Sequence, residues 1–133
     1  MLKLWKFTYY WRFKNADIFE IIIHESCHFL YFKKWLEVFP KAKRRTFDSP
    51  YLTWHLSEIV APILLKTPEL QKFIHQRPLF YREHKRLRIS RQSVPAYFET
   101  MYRRSVARGE PFANFLREAN LVMQRHRNIF RNV

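Results

Sequence analysis

Glycine is nearly missing: Gly109 is the sole one in 133 residues. Without glycine neither a G-x-G-x-x-G turn nor a Walker loop can be written, which excludes the standard nucleotide sites. Many-stranded sandwiches and barrels lean on glycine for the positive φ of their tight turns, so they are disfavoured as well. Cysteine is equally scarce. Cys27 stands alone, so neither an internal disulfide nor a cysteine-built zinc cluster can form, and a reducing, cytoplasmic setting is expected. Acidic side chains are outnumbered, 11 against 25 Lys and Arg, for a formal net charge of +14. No apolar run approaches the roughly 18 residues of a membrane-spanning helix. Lys3, Lys6, Arg12 and Lys14 interrupt the N-terminal apolar stretch, so no secretory signal is expected there.

What is present is apolar and aromatic. Hydrophobic residues make up 47% of the chain and aromatics 18%, enough for a core without metal or disulfide staples. The patterns predict a mainly α, compact single domain over residues 1–133, with one short N-terminal β-strand. That strand is expected over residues 3–13, where Trp5, Phe7, Tyr9, Trp11 and Phe13 alternate with Lys6, Thr8, Tyr10 and Arg12. Asp17 and Glu20 form a relaxed capping box that opens a helix through Ile21–Ile23 to about Val38, and Pro40 ends it. Ser49-Pro50 is a second start signal, for a helix to Leu65 with an expected bend at Pro62. Thr67-Pro68 opens a short third helix ending near Ile74. Residues 79–89 read as a very basic helix. Val94 to Tyr102 and Phe112 to Met123 then follow a 3.6 period on either side of the stop at Gly109.

The sharpest motif is His24-Glu25-Ser26-Cys27-His28, an H-E-x-x-H within the first predicted helix. Residues i and i+4 lie one above the other on a helix face, so two imidazoles can address one tetrahedral ion. Glu25 projects about a quarter turn away, where it can take a proton from a metal-activated water without competing as a ligand. The flanks Ile21–Ile23 and Phe29-Leu30 are expected to bury this helix, with Cys27 as a small filler behind the histidines. Glu25-x-x-His28 is also half of a di-iron carboxylate motif, but no second E-x-x-H exists in the chain.

From Ile21 to Leu30 the sequence resembles the motif helix of the zincin metallopeptidases. The resemblance implies a peptidase acting on a peptide or protein through one Zn2+, with a third ligand from downstream. The metzincin extension does not fit. It needs a glycine in the Lys- and Tyr-rich stretch after His28, and residue 34 is lysine where it requires histidine. A gluzincin-like arrangement fits better: its third ligand is a glutamate on a following helix, and Glu58 lies 30 residues beyond His28 on the second predicted helix. His55, three residues earlier on the same face, is the other candidate ligand. With Glu58 on the metal, His55 would orient it or stabilise a developing oxyanion.

The positive charge is uneven, +4 over residues 1–65 and +10 over residues 66–133. Arg82, Lys85, Arg86, Arg88 and Arg91 lead a basic region from residue 77 to 131 that suits phosphates, or that would steer an acidic protein substrate. No zinc finger, RNA-recognition signature or bZIP heptad accompanies it. The alternative to the metallohydrolase is therefore a basic helical nucleic-acid-binding protein whose H-E-x-x-H is structural or accidental. His75, His84 and His126 have no partner at ligand spacing and are expected to face solvent.

Overall fold

Three side chains four residues apart, Cys27, Tyr31 and Trp35, are the buried ones on the first helix, and that stripe decides how it packs. The computed structural model describes residues 18–75 and 77–133. The strand expected over residues 3–13 lies outside the described residues. Helix α1 (Ile18–Val38) lays its stripe against α2 (Leu52–Leu65). α2 is apolar nearly all round, with nine of its fourteen residues buried, so it occupies the centre, touching α1 and the two long C-terminal helices. These are α5 (Val94–Ala107) and α6 (Phe112–Arg125). Two short helices, α3 (Pro68–Gln71) and α4 (Arg82–Arg86), and a hairpin of β1 (Arg88–Ile89) with β2 (Gln92–Ser93) connect α2 to α5. The mainly α expectation thus holds. Tyr31, Trp35, Leu56, Ile59, Val60, Phe98, Phe115 and Leu116 are among the residues of the main core.

Local chemistry explains several boundaries. Ser93 caps α5, its Oγ accepting the Ala96 N–H at 3.4 Å, with Pro95 in the first turn. The helix closes at Gly109, whose φ of +66° is a left-handed conformation. The N–H of Glu110 reaches back to the Ser105 carbonyl at 3.1 Å and that of Gly109 to Val106 at 2.9 Å, the paired bonds of a Schellman stop.

Three expectations need correction. α2 begins at Leu52 and not at Pro50. The Tyr51 N–H closes a turn onto the Asp48 carbonyl at 3.1 Å, which takes up residues 49–50, and no side chain caps the helix. The basic stretch 79–89 is helical only over Arg82–Arg86. Beyond it Arg88 is exposed and Ile89 buried, the alternation of a strand, and the chain reverses through Ser90 and Arg91 at φ +48° and +68°. The apolar flanks of α1 are not buried throughout: Ile22, Phe29 and Leu30 are 56%, 59% and 66% exposed. At 100° per residue, Ile22 and Phe29 fall on the side of α1 away from Cys27 and Tyr31. Through Pro62, α2 runs on to Leu65.

Truncating Phe98→Ala, fully buried beneath α2, is expected to cost about 3–5 kcal/mol in urea unfolding. Leu121→Ala, on the open side of α6, should stay within about 0.5 kcal/mol.

Candidate metal centre

Two tethers set the register between α1 and α2. The Tyr31 hydroxyl donates to the Thr53 carbonyl at 3.2 Å, and Cys27 packs with Ala61 in a small cluster completed by Leu65 and Ile74. The helices run antiparallel, so pairing 31 with 53 and 27 with 61 brings residue 28 opposite residue 58. His28 and Glu58 meet there, Nε2 to Oε1 at 3.7 Å, with side chains only 12% and 13% exposed. One turn earlier on α1, His24 places its Nε2 3.0 Å from the Nε2 of His28, the rings meeting edge to face with centroids 4.9 Å apart.

His24, His28 and Glu58 thus offer one ligand atom each, all within 4.8 Å of one another, and the trio could hold a metal ion. Donors on a tetrahedral ion with bonds of 2.0–2.1 Å stand about 3.3 Å apart, so small side-chain rotations would complete the shell. The charge states suit the task. Desolvation lowers the pKa of His24, against the pull of Glu25. It drives His28 down to about 3, helped by His24. Both rings are therefore neutral and carry lone pairs at neutral pH. Desolvation raises Glu58 to about 8, and the negative charge of Glu25 adds to this. A carboxyl whose pKa burial has raised is one that a bound divalent ion would return to the charged form. Glu25 stays half-exposed at the edge of the trio.

Of the two candidates for third ligand, only Glu58 joins the histidines. His55, fully buried, points its Nδ1 to the Nε2 of His84 at 2.9 Å, so it neither orients Glu58 nor reaches a substrate oxyanion. His84 is likewise not at the surface. It is 1% exposed, and Phe130 packs on both rings of the pair, with Trp54 against His55 and Tyr81 against His84. No ligand-like spacing in the sequence marks this pair, whose members lie 29 residues apart. The two outer nitrogens, His55 Nε2 and His84 Nδ1, are buried without a hydrogen-bond partner among the described residues. His75 is exposed and His126 half-exposed. Cys27 is buried, and burial pushes its thiol up to about 11, as befits a filler with no thiolate at neutral pH.

No protein-family model, no curated protein and no solved structure matches this chain. Among the described residues, no helix is long and apolar enough to cross a membrane.

The buried pair makes the fold acid-sensitive. Burial and the neighbouring His55 depress His84 to about 4, below the ordinary imidazole value of about 6.5, and burial also lowers His55. The folded state therefore binds fewer protons than the unfolded chain between these values, and stability falls as pH drops from 6.5 towards 4. The expected loss from His84 is roughly 3 kcal/mol, visible as a falling urea midpoint. In His84→Leu that acid limb should be shallower, and an unchanged limb would contradict this assignment.

Proposed function

We propose that this chain is a zinc-dependent metallohydrolase, of the zincin type in its chemistry, that cleaves peptide bonds. The observation that carries the proposal is the convergence of His24, His28 and Glu58, with the half-exposed carboxylate of Glu25 next in the chain to the first ligand. Two imidazoles and one carboxylate leave one tetrahedral position free, the donor set of a catalytic zinc rather than a closed structural one. Nitrogen-rich ligands with a single carboxylate favour Zn2+ over Mg2+ or Ca2+, which prefer all-oxygen shells. A bound zinc would supply Lewis acidity, bringing the pKa of a water towards neutrality and polarising a carbonyl.

The protein's own part lies with four side chains. His24 and His28 stay neutral as ligands because their surroundings are dry. Glu58 adds the negative charge that anchors the cation. Glu25 felt as a negative charge by both His24 and Glu58 is near enough to the centre to serve as general base. It would take the proton from the attacking water and deliver it to the leaving amine. The strongly basic surface would favour acidic peptides or proteins as substrates.

Metal analysis of the purified chain should give about one zinc per molecule, and His24→Ala or His28→Ala should abolish it. Glu25→Gln should keep the zinc while hydrolysis of an unfolded protein such as casein falls about 100-fold or more. Zinc retained with no turnover in the wild type would mark a structural site instead.

Loading should also release a proton. Glu58 is mostly protonated at pH 7 because its pKa is about 8, whereas the two histidines are already neutral. Calorimetry in buffers of different ionisation enthalpy should detect close to one more proton released per zinc at pH 7 in the wild type than in Glu58→Gln, a difference that fades as pH rises above 8. Zinc affinity should climb with pH over the same range.

A further inference from the structure

The buried His84 gives α4 a fixed orientation. Residues two before and two after it, Arg82 and Arg86, project to the opposite side, and both are exposed, as is Lys85 beside them. The hairpin continues the pattern: Ile89 points inward, Arg88 outward, and Arg91 stands at the tip of the turn. Phe130 closes over the histidine pair, with ring centroids 5.3 Å from His55 and 6.4 Å from His84. That contact brings the exposed Arg127 and Arg131 into the same neighbourhood. Seven cations, six of them arginine, therefore surround one buried nucleus.

Among the described residues none of the seven has a carboxylate within 4.0 Å, while Lys34, Lys66, Arg103 and Arg108 all do. Glu83 is the sole acid between residues 78 and 98. The turn itself is costly, since Ser90 and Arg91 both hold positive φ where Asn-Gly would be relaxed.

The chemistry selects among anionic partners. No exposed large apolar side chain lies on α4, the hairpin or residues 127–131, so the surface has nothing to insert into a bilayer. Arginine outnumbers lysine, and its planar fork matches phosphate oxygens two at a time. The cations are distributed over three elements rather than gathered at one point, which suits a polymer of phosphates. No exposed aromatic ring on those elements offers a stacking platform for unpaired bases. We propose that this surface binds the phosphate backbone of duplex nucleic acid without reading its sequence, independently of the metal centre.

The test is fluorescence anisotropy of the full chain with a labelled 20-base-pair DNA duplex. If about five phosphates are neutralised, log K should fall against log salt with a slope near −4.5, roughly 500-fold between 50 and 200 mM. Replacing Arg82, Arg86 and Arg91 together by Gln, all exposed positions, should flatten the slope by about 2.7 and weaken binding at least 10-fold at 100 mM salt. Arg103→Gln with Arg104→Gln, on α5, should change affinity less than about threefold, and His24→Ala should leave it unaltered. Loss of zinc from His24→Ala with duplex binding intact would separate this surface from the hydrolase reading. Binding to vesicles one-third phosphatidylserine, or to polyglutamate, as tightly as to the duplex would overturn the proposal. So would an unaffected triple variant, or no duplex binding at 50 mM salt.

Discussion

The antiparallel contact between α1 and α2 is the constraint on which the rest depends. α2 is enclosed by α1, α5 and α6, so any polar side chain it carries must find a partner in the interior. Its polar and charged members answer in three ways. Ser57 donates to its own helix, at the Trp54 carbonyl 2.7 Å away. His55 turns to His84. Glu58 meets His28 across the helix interface. The candidate centre is thus where the carboxyl of α2, its pKa raised by burial, faces imidazole lone pairs, with no neutralising Lys or Arg among the described residues.

The same contact explains the division of labour along α1. Tyr31 and Cys27 fix the register; His28 and His24, one and two turns away from Tyr31 on nearly the same stripe, inherit their positions from it. Glu25 falls a quarter turn off the stripe and so keeps partial access to water. Helical pitch alone turns the two histidines inward and leaves Glu25 at the rim.

Much of this was legible in the sequence, because helical spacing is a local property. The i, i+4 histidines, the course of α1 and the stop at Gly109 could be read from periodicity and punctuation, whereas Glu58 was one of two candidates, favoured over His55 by the gluzincin-like resemblance. Three things could not. The hairpin at 88–93 hides because its turn uses Ser90 and Arg91 in place of glycine, so no turn residue announces it. His55 and His84 pair across 29 residues, and only tertiary packing decides that two isolated histidines share a proton in the interior. The outward side of α1 was misjudged because an apolar run such as Ile21–Ile23 spans most of a helical turn. Its middle member must then face away from any single neighbour.

The two halves of the candidate centre differ in persistence. Amide hydrogens around Glu58 lie in a helix walled in on all sides, where exchange with solvent waits for the opening of the whole molecule. Around His24, α1 carries Ile22 and Ser26 exposed on its outer side, so amides there are expected to exchange more readily than those around Glu58. Of the three candidate ligands, Glu58 thus sits on the better protected helix, and the two imidazoles on the one that opens first.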